Sequence, residues 1–430
     1  MKTIVLFGAG KSATVLIDFL KTVAAEKKWH IWIADANEQL LKEKVNNAPF
    51  VYYKVLSIED EVARTTLIEQ SDLVISLLPP ALHFLVAQDC LALNKHLFNA
   101  SYVSDEIKLL HEKVAAKGLL FLCEMGLDPG IDHMSAMKMI DEIKEKGGKI
   151  YSFQSHCGGL VAPESDNNEW HYKISWNPKN IILAGKSGAV FMENNQLINI
   201  DYQQLFTKTA AIYVPELKQE FAAYANRDSL SYMPLYGLEN CSTFKRTTLR
   251  HMEFCKKWQQ VVALALTNET YLPPNTAGLT TCKDYWIDYL KNSNKSDKSL
   301  ILCELGLLEE IILPNKNLHP AELLQWQLEK HMALEATDLD MIVMQHEIAY
   351  SVENKNYLQT STLVVKGINQ LHTAMAKTVG LPLGIAAVLF LEQKFTASGV
   401  CIPIKKAIYQ PVLQALAAEG IVFKENLQTI

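Results

Sequence analysis

The sequence predicts an α/β protein: an N-terminal doubly wound parallel sheet, then a mixed-sheet α+β domain with a helical insertion. Three observations carry this expectation. The first 127 residues alternate six apolar strand patterns with helical stretches, and strands joined through helices form parallel sheets with right-handed crossovers. From about residue 150 the apolar runs shorten and turn residues separate them, the signature of mixed or antiparallel pairing. Residues 256–336 turn helical. The predicted organisation is a nucleotide domain over 1–127, a mixed-sheet domain over 128–255 with 337–370, and an insertion over 256–336. The segment from about 371 to 430 is expected to pack back on the first domain.

In order, the early strand patterns are "TIVLFG", "HIWIAD", "FVYYKV", "DLVISLLP", "HLFNAS" and "LLFLCE", with helical stretches such as Ser12–Glu26 and Asp105–Lys117 between them. "KIYSFQSHCGG", "KNIILAG", "GAVFMENNQLINI" and "FAAYANRDS" read as short strands. "KKWQQVVALALTNE", "CKDYWIDYLKNS" and "PAELLQWQLEKHMALEA" read as helices, interrupted by the polar loop "KNSNKSDKS". "DMIVMQHEIAYSV" and "YLQTSTLVVKG" return to strand, and "HTAMAKTVGLPLGIAAVLFLEQ" to helix.

Composition narrows the function classes. Hydrophobic residues make up 49% and charged residues 20%, as in an ordinary soluble enzyme. A net charge of -6 without a basic block argues against nucleic-acid binding. The eight cysteines contain no CxxC pair, so neither a metal site nor a disulfide framework is expected. The first apolar run ends in glycines after Phe7, which fits a buried strand better than a signal peptide. No unbroken apolar stretch reaches ~18 residues, so no membrane span is expected. A cytoplasmic protein follows from these readings.

Gly8-Ala9-Gly10-Lys11-Ser12-Ala13 follows a strand and opens a helix, matching G-x-G-x-x-A. Gly8 permits the tight turn, Gly10 lets a pyrophosphate approach the backbone, and Ala13 keeps the helix near the sheet. The free N–H groups of the helix start suit phosphate. The blander alternative is a glycine-rich turn without a ligand. Asp35 ends the second strand pattern, where a carboxylate accepts from ribose hydroxyls and repels a 2′-phosphate. NAD is therefore the expected cofactor, with NADP second. Leu77, Leu78 and Pro79 end the fourth strand, where a nicotinamide half would rest.

Ser101 and Tyr102 follow the fifth strand and Asp128 the sixth, so all three belong to the sheet's carboxyl rim, where ligands of open α/β folds bind. In "EMGLDPGIDHM" Asp128 also reads as a helix N-cap, with Pro129 in the first helical position. Further on stand Cys157, Lys173, Trp176, Arg227, Arg246, Thr247, Thr248 and Arg250. Paired arginines suit bidentate carboxylate binding. On residue type alone, Cys157 and Trp176 are more often core and the arginines more often surface ion-pair partners.

"SLLPPALHFLVAQDCL", "ASYVSDEIKLLHEK", "CEMGLDPGIDHMSAMKMID", "SHCGGLVAPESDNNEWHYKISWNP", "YANRDS", "RTTLRH" and "MAKTVGLPLGIAAV" resemble the glutamate-forming saccharopine dehydrogenases, or saccharopine reductases. The likeness extends to the dehydrogenase half of bifunctional lysine-degrading enzymes, covers essentially the whole chain and is weakest over 256–336. It departs locally: the family usually writes SYCGGLPAPE where this chain has His156 and Val161, and RGTLRY where it has Thr247 and His251. The resemblance implies reversible oxidative deamination of saccharopine to glutamate and 2-aminoadipate 6-semialdehyde, with a nicotinamide cofactor. It places substrate contacts on Ser101, Tyr102, Asp128, Arg227, Arg246 and Thr247, and on Trp176. Asp128, Cys157 and Tyr102 are the proton-handling candidates, Asp128 first. A homodimer is compatible with this reading. The alternatives are a related imine reductase, such as carboxynorspermidine or homospermidine synthase, and a catalytically silent nucleotide sensor.

Overall fold

The computed structural model describes residues 1–271, 280–295, 300–315 and 318–430. Contacts divide the chain into two units. Met1–Ile150, Leu235–Gly237 and Ala349–Ile430 form the first, Tyr151–Pro234 and Leu238–Ile348 the second.

In the first unit all six expected strands form: β1 (Thr3–Phe7), β2 (His30–Asp35), β3 (Val51–Val55), β4 (Leu73–Ser76), β5 (His96–Asn99) and β6 (Leu120–Leu122). They pair in parallel in the order β3-β2-β1-β4-β5-β6, and Gly399–Cys401 adds a seventh strand parallel to β6. This is the Rossmann order, and its reversal between β1 and β4 opens a crevice at the carboxyl ends of the strands. Buried runs such as Ile4–Phe7 and Leu73–Ser76 reflect helices covering both faces. A 3-10 turn, Lys11–Ala13, leads into the helix Thr14–Lys27.

The helix Ala374–Leu391 lies against Thr14–Lys27. A Cβ on Gly380 would stand 3.0 Å from Leu16 Cβ, and one on Gly384 2.7 Å from Phe19 Cδ1. This helix is long and apolar enough to cross a membrane, and 72% of its apolar window is buried inside the protein. Burial on several sides, rather than lipid, accounts for its apolar sequence.

Two expectations shift. The stretch Asp105–Lys117 forms two short helices, Asp105–Lys108 and His111–Ala116. The helix Ile131–Glu145 belongs to the first unit, so the division falls at residue 150 rather than 127. It is tied to the helix Lys406–Ala418 by Tyr409, whose hydroxyl donates to Asp141 Oδ2 at 2.5 Å.

The second unit holds most of β7 (Lys149–Val161), with β8 (Ala189–Glu193), β9 (Gln196–Ile200), β10 (Ala210–Val214), β11 (Gln219–Ala225), β12 (Arg227–Asp228), β13 (Thr243–Arg250) and most of β14 (Asp340–Val352). Their order is β10-β11-β13-β7-β14, with β8 beside β13, β9 and β12. β13 runs parallel to β7 and antiparallel to β11, so the sheet is mixed. "KNIILAG", expected as a strand, is the short helix Lys179–Leu183. The helices Met252–Ala263, Cys282–Asn292 and Pro320–His331 bury Trp258, Trp286 and Leu324 in one core with Phe206 and Tyr224 of the sheet side. Residues 256–336, expected as a separate insertion, therefore share the sheet's core. Part of the expected polar loop, 296–299, lies outside the described residues.

Candidate active site

The glycine turn is knitted to the neighbouring strand ends. Gly8 N–H donates to Ala34 O at 2.9 Å, and Leu77 N–H to Phe7 O at 2.9 Å. Gly8 has φ +98, and a Cβ there would stand 2.6 Å from Leu77 O, so only glycine fits. A Cβ on Gly10 would meet nothing within 4 Å, which leaves room for a phosphate beside the backbone. No side chain caps this helix start, so its N–H groups face outward for an anion.

Two side chains hold the turn. Asp35 Oδ2 accepts from Ala9 N–H at 2.8 Å, and its Oδ1 from Asn37 N–H at 3.0 Å. Lys44 Nζ donates to Gly10 O at 2.7 Å and Thr14 Oγ1 at 2.9 Å. Burial lowers the Lys44 ammonium to about 8, against the pull of Asp18 and Asp35. Asp35 also lines an open cavity of about 320 Å³ with Phe7, Ala36, Ser57, Glu59 and Leu78. That cavity suits an adenosine half, so the residues present fit a dinucleotide. Lys44, Ser57 and Glu59 were not legible as site residues, because their place depends on where the helix after β2 and the end of β3 come to rest.

On the rim, Ser76 Oγ, His83 and Ser101 Oγ form a chain, each link 2.8 Å, through the two ring nitrogens. Burial lowers His83 to about 4, so the ring is neutral at working pH and gives and takes one proton to orient Ser101. Tyr102 OH donates to Asp128 Oδ1 at 3.1 Å. These two expected site residues are brought together although 26 positions separate them.

Asp128 is not a helix cap. The helix Ile131–Glu145 starts later, with Gly130 as its N-cap at φ 147, and Gly130 N–H donates to Asp132 Oδ1 at 2.5 Å. The cause is the close crossing of Gly126 and Gly130, where a Cβ on Gly130 would overlap Gly126 O at 2.1 Å. His133 explains the rest of the motif. Its Nε2 meets Glu124 Oε2 at 2.7 Å, its Nδ1 meets Tyr236 OH at 2.5 Å, and Glu124 Oε1 accepts from Val103 N–H at 3.1 Å. This buried network fixes the backbone next to Tyr102.

The second unit places its candidates on one strand region. Cys157 is buried and registers with Thr248 across β7 and β13, while His156 registers with Thr247. Thr247 Oγ1 meets His156 Nδ1 at 2.7 Å, so its side chain lies on the sheet face opposite Cys157. Arg246 is buried with its guanidinium 4.6 Å from the Tyr232 ring centroid. Arg227, exposed and at φ 48, is a neighbour of Arg246, because Asn226 N–H donates to Arg246 O at 2.8 Å. Trp176 is half-buried, and Lys173 is taken by Asp338 at 2.6 Å.

Dinucleotide binding at the crevice of a parallel sheet, with a phenol–carboxylate pair on the same rim, is the working arrangement of a nicotinamide-dependent oxidoreductase. Relatives narrow that class. Residues 4–122 match the family model of the saccharopine dehydrogenase NADP binding domain, and residues 126–421 that of the saccharopine dehydrogenase C-terminal domain. A saccharopine dehydrogenase (NADP(+), L-glutamate-forming) from Schizosaccharomyces pombe is 32% identical over 99% of both chains. The alpha-aminoadipic semialdehyde synthase of Arabidopsis thaliana is 33% identical over 99% of this chain, which spans 45% of that relative's length. Apo saccharopine dehydrogenase (L-Glu forming) from Saccharomyces cerevisiae matches in structure with a TM-score of 0.86 at 27% identity, covering 100% of each chain. The chain belongs to the saccharopine dehydrogenase family.

Proposed function

We propose that this protein oxidatively deaminates saccharopine to L-glutamate and 2-aminoadipate 6-semialdehyde, reversibly, in lysine metabolism, with NAD preferred over NADP. The observation that carries the chemistry is the Tyr102–Asp128 hydrogen bond on the carboxyl rim of the dinucleotide sheet. The nicotinamide, when bound, accepts the hydride from the carbon flanking the secondary amine. Asp128 takes the amine proton as the imine forms and activates the water that adds to it, and Tyr102 orients the carboxylate. Ser101, held by neutral His83, offers a hydroxyl to the substrate. Arg227 and Arg246 bind carboxylates, of which saccharopine has three. Cys157 and Trp176 line the substrate side, Thr248 shares the face of Cys157, and Thr247 contributes through its backbone.

The reading also makes the protein cytoplasmic, acting on a small molecule without nucleic acid or membrane, and leaves room for a homodimer. The acidic balance of -6 supports it. The test is an assay of purified protein with saccharopine and each nicotinamide dinucleotide, following reduced cofactor and glutamate together. Reduced cofactor and glutamate in a 1:1 ratio are expected from the stoichiometry. No turnover with either cofactor would sink the proposal.

A further inference from the structure

Among the described residues, buried Arg64 and Lys173 each meet a carboxylate, Asp89 at 2.5 Å and Asp338 at 2.6 Å. Arg250 does not. It ends β13, two positions beyond Thr248, and so shares the sheet face of Cys157 and Arg246. Its guanidinium carbon lies 5.6 Å from the Tyr172 ring centroid and 5.8 Å from that of Phe254. The ionisable groups around it are Tyr224, Tyr172, Cys255 and Cys157, none of them a carboxylate. An arginine keeps its charge at any working pH, and a buried charge without a counter-ion is costly.

The pattern of used and unused donors is directional. Nη1 donates to Leu249 O at 2.8 Å and, weakly, to Gly159 O at 3.4 Å. Nε is enclosed and has no acceptor, and no bond among the described residues uses Nη2. Nε–H and Nη2–H together form the side-on fork that matches the two oxygens of a carboxylate. The residue as a whole keeps partial exposure, although Nε itself is enclosed.

We infer that Arg250 binds a carboxylate group of the substrate through its Nε–H and Nη2–H fork. This deepens the proposed function: a tricarboxylate substrate would meet three arginines, Arg227, Arg246 and Arg250. The bond from Nη1 to Gly159 also ties the anion site to the Gly-Gly turn that follows Cys157.

The test is calorimetry on the cofactor-loaded full chain, wild type against Arg250→Met and Arg250→Lys. The ligands are saccharopine and its three mono-amides, each with one carboxylate turned into a carboxamide. Arg250→Met should weaken saccharopine binding by roughly tens- to thousandfold, with cofactor affinity unchanged. One mono-amide should bind wild type and Arg250→Met alike, because the partner of Arg250 is already gone. Thermal stability should hold or rise, since an apolar side chain replaces an uncompensated buried charge. Arg250→Lys should recover part of the affinity. Saccharopine binding within about threefold of wild type in Arg250→Met overturns the inference, as does equal weakening of all four ligands with a falling Tm, which marks a structural tie. If wild type neither binds nor oxidises saccharopine, the function is wrong, and glutamate and 2-aminoadipate decide Arg250 separately. Binding of either to wild type and its loss in Arg250→Met keeps the anion site, and no binding to wild type removes it.

Discussion

Asp35 offers the sharpest test of cofactor choice, because its carboxylate has two jobs that substitution can separate. It lines the adenosine-sized cavity with a second acid, Glu59, and no lysine or arginine lines that cavity. It also accepts from Ala9 N–H at 2.8 Å and so holds the glycine turn. A 2′-phosphate beside the ribose would come within about 5 Å of this carboxylate. Two like unit charges at that distance repel by about 3 kcal/mol at an effective dielectric of ~20. Screening by salt brings this down to roughly 1–2 kcal/mol, or about 5- to 30-fold in kcat/KM against NADP. Asp35→Asn removes the charge but keeps an oxygen for Ala9 N–H, so it should narrow the NAD preference by about tenfold with the NAD KM little changed. Asp35→Ser loses the tie as well, and the NAD KM should rise several-fold more, about the worth of one net hydrogen bond. Steady-state kinetics with both cofactors on the three proteins decides it. A wild-type preference for NADP, the cofactor in the Schizosaccharomyces pombe relative's name, refutes the electrostatic argument. So does an unmoved ratio in both variants.

The remaining expectations concern other parts of the site. Asp128→Asn should keep near-normal thermal stability, because Asp128 caps no helix, yet lose at least about tenfold in kcat with an altered acidic limb of the pH–rate profile; near-normal turnover would pass the proton to Cys157, Tyr102 or water. Arg227→Ala and Arg246→Ala should each cut kcat/KM for saccharopine by roughly tens- to thousandfold while sparing NAD affinity, the signature of a carboxylate left without its partner. Normal saccharopine binding in both by calorimetry would make these arginines structural. Because burial lowers Lys44 to about 8, the ammonium on Gly10 O is lost as pH rises through that value. The NAD KM should climb above about pH 8 in wild type and stay flat in Lys44→Met, and parallel profiles would remove Lys44 from cofactor binding.

The sequence carries the nucleotide sheet well because its signals are local. β1, β2, β4, β5 and β6 bury apolar residues, the edge strand β3 buries only Val51, and the Gly8 turn sits directly at the end of β1. Long-range closure is what it hides. Asp128-Pro129 imitates a helix start, but the crossing of Gly126 over Gly130 delays the helix, and Asp128 answers instead to Tyr102, 26 residues earlier. His83 orients Ser101 from 18 residues away. "KNIILAG" has strand-like residues, but Asn177 Oδ1 accepts from Lys179 N–H and starts a turn, and Ile181 and Ile182 are both buried although adjacent. Three-residue Gly399–Cys401 is too short to leave any periodicity. Arg227 and Arg246 could be singled out by residue type, whereas the fork of Arg250 needed its aromatic surroundings to be seen.

The packing of Ala374–Leu391 on Thr14–Lys27 has a bearing on biosynthesis. The last residue of the second unit, Ile348, leaves the ribosome before residues 349–430 of the first. The nucleotide-binding unit, begun first, still lacks its last strand and the helix that covers Leu16 and Phe19. At ~5–20 residues per second this leaves the apolar surface around Leu16 and Phe19 waiting for roughly 20–70 seconds. The part of the chain made earliest is the last to mature, and chaperone dependence should track the arrival of residues 374–401 rather than the synthesis of the Rossmann strands themselves.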